Sequence, residues 1–211
     1  MLRREELSHE EQLTIATYDR NVTDWRENNY HGELWGEDFG RFRHYLLRGR
    51  VLDIGAGSGT DTGRFIATGY DYVGTDASAA QVAEARRLYP GLDFLQRSVY
   101  DLQFPENSFD GFWAAAVLIH LPRARVGEAL NQIHRVVRPG GIGFISLKEG
   151  MGQAVTSEPA EGTTYERLFT YYKADEFQQI LETHQFDTLS VTSRQLRPDL
   201  TWLKFLVQCR E

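Results

Sequence analysis

The residues with the most chemical content lie at Val51–Gly59, which reads Val-Leu-Asp-Ile-Gly-Ala-Gly-Ser-Gly. An apolar run ending in Gly55, Gly57 and Gly59 predicts a strand that enters a tight loop and then a helix. Glycines at such a turn permit positive φ and let the backbone approach a ligand closely. The helix that follows offers unpaired N–H groups and a partial positive charge. Asp53 stands just before the glycines. A carboxylate there is awkward beside a pyrophosphate but useful as a charge-assisted acceptor for an ammonium group. Spacing agrees, because the dinucleotide fingerprint G-x-G-x-x-G needs its third glycine at position 60, which is Thr60. A nucleoside cofactor with an ammonium and no phosphate suits the loop best.

Asp76 closes the next apolar run, in Val73-Gly74-Thr75-Asp76-Ala77-Ser78. At the end of a second strand its carboxylate can accept from both ribose hydroxyls. The plainer reading is a carboxylate favoured by the helix dipole. Asp61 has the same two readings, as a ligand-facing acid or a first-turn residue. His120, in Leu118-Ile119-His120-Leu121-Pro122, suits either packing and capping or general-base work, since its ordinary pKa is near neutral. Lys148 and Glu149 follow a fifth apolar run, where substrates sit in such sheets, or form a solvated pair. Tyr165, Arg167, Tyr171 and Tyr172 are pocket candidates, but aromatics in this number more often pack.

Short apolar runs alternate with helical patterns to position these groups. Strands are predicted at Arg50–Ile54, Tyr72–Thr75, Leu92–Gln96, Gly111–Val117 and Ile142–Leu147. Helices are predicted at Thr60–Ala67, Ala79–Tyr89 and Arg123–Val137, the last with Val126, Leu130, Ile133 and Val137 on one face. Ser78 is an N-cap and Pro90-Gly91 a stop. Arg138-Pro139-Gly140-Gly141 breaks the third helix. Alternation of this kind implies right-handed βαβ units and a parallel sheet covered on both faces. Residues 1–48 form a polar, aromatic head, with helices from Ser8 to Thr17 and from Asp38 to Leu47 and a loop at Asn28–Gly36. Residues 149–165 read as a long Gly/Ser/Thr/Glu-rich connection. A helix at Ala174–Thr183 precedes two β-like runs, Asp187–Arg194 and Thr201–Cys209, joined around Pro198-Asp199 as an antiparallel hairpin.

The chain has 211 residues, 41% hydrophobic and 25% charged, as expected of one soluble globular domain with decoration. A net charge of −7 argues against broad phosphate-backbone binding, so no nucleic-acid partner is expected. A single cysteine, Cys209, excludes a disulfide framework or thiolate metal cluster within the chain. No apolar run is long enough for a membrane span, and Met1–Glu6 lacks a signal-peptide core. These features lead to the expectation of a cytoplasmic protein with no metal and no membrane partner.

Val51–Gly59, Asp76, the Asp101–Phe109 turn and Arg138–Gly141 together resemble the class I S-adenosylmethionine-dependent methyltransferases. The similarity covers roughly residues 48–148, and Gly55–Phe65 with Asp76-Ala77-Ser78 most resembles small bacterial enzymes acting on small molecules. The resemblance implies an α/β fold: a Rossmann-like three-layer sandwich with a seven-stranded, mostly parallel sheet and an antiparallel C-terminal hairpin. It implies a helical cap or lid over 1–48 and a cofactor-binding domain over 49–211. It also implies S-adenosylmethionine as cofactor and methyl transfer to a small-molecule acceptor. Asp53 would then hold the methionine amino group, with Gly55, Ala56, Gly57 and Gly59 close to the cofactor and Asp61 at its amino-acid end. Asp76 would bind the ribose and Ala77 would lie over the adenine. Many relatives carry an Asp after the third strand for the adenine amino group; Ser98 stands there, followed by Val99. Ala114 and His120 would edge the transfer site, with His120 as the catalytic candidate. Tyr18 would contact the cofactor, and Lys148 and Tyr171 the substrate. Three alternatives stay open at this point. They are a nicotinamide-dependent oxidoreductase, a catalytically silent cofactor-binding or interaction protein, and a polyamine-synthase-like transferase using decarboxylated cofactor.

Overall fold

The computed structural model describes residues 7–22, 34–160 and 163–211. Trp25, Tyr30 and most of the loop expected at 28–36 lie outside the described residues. Helix α1 (His9–Arg20) begins at a capping box in which Ser8 accepts from the Glu11 N–H and Glu11 accepts from the Ser8 N–H, at 3.2 and 2.8 Å. Helix α2 (Gly36–Tyr45) buries Phe39 and Phe42.

The parallel strands are β1 (Arg50–Ile54), β2 (Asp71–Asp76), β3 (Asp93–Gln96), β4 (Phe109–Ala115) and β5 (Val137–Glu149). Helices α3 (Thr62–Ala67), α4 (Ala79–Leu88) and α5 (Val126–Val136) connect them. Val51–Ile54 and Gly111–Ala114 are buried throughout, as strands covered on both faces must be. Helix α6 (Ala174–Thr183) leads to β8 (Phe186–Arg197) and β9 (Leu200–Cys209), which pair antiparallel; β9 also pairs antiparallel with β5. The main sheet thus runs β3-β2-β1-β4-β5-β9-β8. This is the expected α/β sandwich with its antiparallel C-terminal hairpin.

Two expectations change. The segment 149–165 is not a plain connection. Strands β6 (Gln153–Ala160) and β7 (Thr163–Tyr172) form an antiparallel hairpin whose second arm meets the end of β5 at Lys148–Tyr171 and Glu149–Tyr172. The described residues therefore hold nine strands, not seven. Exposed polar residues on β6 hid the strand: Gln153 and Ser157 face water and leave no apolar alternation to read. Secondly, the Arg138–Gly141 break lies inside β5. Phe109 pairs with Val137 but Gly111 with Ile142, so the extra residues form a bulge. A Cβ on Gly141 would lie 2.4 Å from Val137 Cγ1, so this bulge closes only on glycine. The helix before it is also shorter than expected, starting at Val126 after a 3₁₀ turn at Arg123–Arg125.

The core is aromatic. Trp113 stacks on Phe144 with ring centroids 4.0 Å apart, and Phe42 and Phe65 meet Trp113 edge-on. Chain order reverses at β1, with β2 on one side and β4 on the other. The loops leaving β1 and β4 both border a crevice above the sheet at that point.

Candidate functional site

A cavity of about 360 Å³ fills that crevice. The loop after β1 forms its floor. Gly55 has φ +70°, and a Cβ there would lie 2.6 Å from Val117 Cγ2, so this loop and the one after β4 touch. Asp76 is held by backbone amides: Gly57 N–H donates to one carboxylate oxygen at 2.9 Å and Ser78 N–H to the other at 2.8 Å. Asp53 accepts from the Tyr72 hydroxyl at 2.8 Å, and Tyr72 accepts from Thr62 at 2.9 Å. Asp61 accepts from the Trp113 indole N–H at 2.9 Å and pairs with Arg64 at 3.3 Å. The aromatic core thereby fixes the glycine loop.

These three acids share a negative field. Burial, then the neighbouring Asp61, raises the Asp53 pKa well above the carboxylate range. Burial likewise raises that of Asp61 against the pull of Arg64, and takes Asp76 up to about 6. A cation or a set of hydroxyl donors placed among them would restore the charged forms.

Helix α1 forms a second wall. Leu7, Glu11, Thr14, Ile15 and Tyr18 line the cavity at the spacing of one helical face. Strand β7 holds this helix from one side: Thr17 donates to Glu166 O at 2.8 Å and Leu168 N–H donates to Thr14 at 2.9 Å. Asp19 holds it from the other, accepting from the Ser78 hydroxyl at 2.6 Å and the Ala80 N–H at 3.2 Å at the start of α4. Tyr18 OH lies 2.9 Å from His120 Nε2, and His120 Nδ1 lies 2.7 Å from Leu168 O. A carbonyl only accepts, so Nδ1 carries the proton and Nε2 accepts from Tyr18. Burial, reinforced by Arg167 and Lys148, takes the His120 pKa down to about 3, so the imidazole is neutral.

Twelve of the residues expected at the site line this one cavity: Tyr18, Asp53, Gly55, Ala56, Gly57, Asp61, Asp76, Ala77, Ser98, Val99, His120 and Lys148. Ser98 Oγ accepts from the Tyr100 N–H at 3.3 Å within a tight turn. Gly59, Ala114 and Tyr171 lie off the lining. Gly59 faces the Tyr89 ring, which a Cβ would approach to 2.7 Å. Ala114 is fully buried, and Ala115, Ala116 and Val117 line the cavity after it. Tyr171 packs beside Gly150 and the core.

Sequence reasoning missed Gln81, Asp19 and Trp202, and left Arg167, which also lines the cavity, among several unassigned pocket candidates. Gln81 is 1% exposed and lines the cavity, and neither side-chain amide atom has a hydrogen-bond partner among the described residues. Its signal was present: α4 buries Gln81 beside Val82 and Ala85, and an amide on a buried helix face calls for a partner. Among the described residues no three His, Cys, Asp or Glu side chains are grouped to hold a metal ion.

Comparison with known proteins places this geometry. Residues 51–141 match a family model described as a methyltransferase domain. The chain is 38% identical over 92 residues to a demethylmenaquinone methyltransferase of Beutenbergia cavernae, a match covering 44% of this chain and 38% of that protein. It is 27% identical over 179 residues to a probable S-adenosylmethionine-dependent methyltransferase of Mycolicibacterium smegmatis, covering 83% of this chain and 67% of the other. The first of these matches thus spans well under half of its relative. In fold, the chain is similar to a Burkholderia thailandensis 1,6-didemethyltoxoflavin-N1-methyltransferase solved with 1,6-didemethyltoxoflavin and S-adenosylhomocysteine. That superposition has a TM-score of 0.77 at 21% identity and covers 97% of this chain and 92% of the other.

Proposed function

We propose that this chain is a class I S-adenosylmethionine-dependent methyltransferase that transfers a methyl group to a small molecule held in the cavity. The observation that carries the proposal is one cavity walled by two halves of the chain. Asp53, Asp61 and Asp76 line it from β1, the loop after it and β2; Lys148, Arg167, Phe169 and Trp202 line it from β5, β7 and β9. The names of the demethylmenaquinone and didemethyltoxoflavin relatives support an acceptor of small-molecule type.

The residues present fit S-adenosylmethionine. Asp53 and Asp76 are bonded to a hydroxyl and to amides rather than to a cation, and Gln81 offers a buried amide with no partner among the described residues. We assign Asp53 and Asp61 to the amino-acid end, Asp76 to the ribose hydroxyls, Ala77 and Val99 to the faces of the adenine, and Ser98 to its edge. Gln81 adds a hydrogen bond near Gly57. Gly59 and Ala114 act behind the lining, shaping the loops. The bound cofactor supplies a methyl group already activated on a sulfonium sulfur. The protein's work is therefore to align the acceptor and exclude water, and alignment of this kind is worth roughly 7–11 kcal/mol of barrier. His120 serves as a positioning residue: neutral and anchored on Leu168 O, it orients the Tyr18 hydroxyl at the cavity. Helix α1 serves as the lid, because it lines the cavity from outside the sheet and is held there by side-chain hydrogen bonds and the Glu11–Arg125 pair; α2 belongs to the aromatic core.

Asp76→Asn tests the ribose assignment. It should weaken S-adenosylhomocysteine binding by about 1–3 kcal/mol in calorimetry, the cost of a charged acceptor's hydrogen bonds. Unchanged affinity in a folded variant would sink that assignment. A second reading, a silent cofactor-binding protein, draws on His120, whose two ring nitrogens are both engaged. It requires cofactor binding without release of S-adenosylhomocysteine on any panel of small acceptors.

A further inference from the structure

The turn that follows β3 is built against the end of β2. Asp76 is in register with Gln96, Arg97 N–H donates to Asp76 O at 2.9 Å, and Gln96 Nε2 donates to Ala77 O at 3.1 Å. Ser98, Val99 and Tyr100 therefore line the cavity beside Asp76 and Ala77. Ser98 brings no charge, and its oxygen closes the turn on the Tyr100 N–H.

Helix α1 brings a charge to this turn. Glu11, in its first turn, is 4% exposed and lines the cavity together with Tyr100, which is 7% exposed. Arg125 joins the two. Its guanidinium pairs with Glu11 Oε2 at 3.1 Å and lies over the Tyr100 ring, 3.8 Å from the centroid. Glu11 Oε2 also accepts from the Ser8 N–H, so that oxygen is spent on fixing the helix. The other oxygen, Oε1, and the Tyr100 hydroxyl are both buried, and neither makes a hydrogen bond of ordinary geometry among the described residues. The two groups are neighbours: burial, then the Glu11 carboxylate, raises the Tyr100 pKa, so the phenol keeps its proton. The wall thus presents an acceptor beside a donor, both desolvated and neither satisfied, which is costly until a ligand completes them.

We propose that Glu11 and Tyr100 read the amino edge of the cofactor's adenine: Glu11 Oε1 accepts from the exocyclic amino group, and the Tyr100 hydroxyl donates to the ring nitrogen beside it. Adenine carries that donor and acceptor side by side, whereas a 6-oxo purine puts an acceptor where adenine has the donor. The inference rests on the methyltransferase reading, which sets the adenine at Ala77 and Val99. It makes α1 part of the donor site, with a carboxylate from the helix supplying the charge that Ser98 does not.

The test is a comparison of bases. S-adenosylhomocysteine, S-inosylhomocysteine, which has an oxo group at the amino position, and the analogue with hydrogen there are titrated into the full chain by calorimetry. The wild type should bind the adenine ligand at least about tenfold more tightly than either analogue. Glu11→Gln keeps the capping box, which takes Gln as well as Glu, and its amide can turn to donate to an oxo group. The preference for amino over oxo should then fall about tenfold. A Glu11 that only holds the helix would weaken all the ligands alike and leave the preference unchanged, and that result would overturn the proposal. Tyr100→Phe, which leaves α1 and its cap untouched, should weaken the adenine and hydrogen ligands together severalfold and keep the preference between them. Equal binding of all the ligands by the wild type, or unchanged S-adenosylhomocysteine affinity in Tyr100→Phe, would likewise overturn it. Binding of none of them would overturn the donor assignment itself, and the inference with it.

Discussion

At the residue scale the site is built from groups that the protein alone leaves unsatisfied. Gln81 is the plainest. A buried amide without a partner costs about 1–3 kcal/mol, so Gln81→Leu should make the unliganded protein more stable in urea melts. The same change should weaken S-adenosylhomocysteine binding. Opposite signs in the two measurements are the expected outcome; a loss in both would mark Gln81 as mere packing. His120 gives a pH signature. Its folded pKa is depressed to about 3, so its contribution to stability is present above about 6.5 and lost as pH falls below it, because the unfolded chain takes the proton first. Asp76, raised to about 6, acts in the other direction: its contribution is full below about 4 and lost as pH rises through 6. Comparing wild type with His120→Gln isolates the first effect. The stability difference should move against the wild type by about 1.4 kcal/mol per pH unit once below pH 6, read from urea melts at pH 6 and 5.

At the element scale, α1 stands apart. The residues it buries are Glu11, Thr14 and Thr17, so the helix is held by its capping box, its threonine bonds, the Glu11–Arg125 pair and Asp19 more than by apolar burial. Ser8→Ala should cost about 0.5–2 kcal/mol of local helix stability and raise amide exchange in α1 before the sheet is affected. The cofactor loop was legible because glycine spacing and an acid before it are local signals. The β5 bulge and β7 were not. The Arg-Pro-Gly-Gly run at 138–141 reads as a helix stop whether a loop or a bulged strand follows. Strand β7 buries Arg167 beside Tyr165 and Phe169, a pattern whose meaning depends on a cavity that the chain's order does not reveal. Asp19 gave no signal at all, since its partners lie 59 and 61 residues away.

At the scale of the whole molecule, the C-terminal elements complete a site that the N-terminal half begins. The glycine loop and Asp76 come from β1 and β2. The opposite wall comes from β5, β7 and β9, with Leu196, Arg197 and Leu200 at the tip of the last hairpin reaching the cavity. Only the first half falls within the matched family segment, residues 51–141. On the proposed function, donor binding belongs mainly to the shared half and acceptor choice to the half outside it. Binding of S-adenosylhomocysteine should protect α1 and β7 together from hydrogen exchange, since each holds the other.

The bond from the Trp113 indole to Asp61 has one more use. Trp113 lies in the aromatic core, yet its N–H ends on the Asp61 carboxylate that lines the cavity, and Trp35 and Trp202 line the same cavity. Filling that space changes the electric field at one indole and the polarity around two others. The protein's own ultraviolet emission is therefore a gauge of occupancy, and Trp113→Phe and Trp202→Phe would divide the signal into a donor channel and an acceptor channel, with no dye or label.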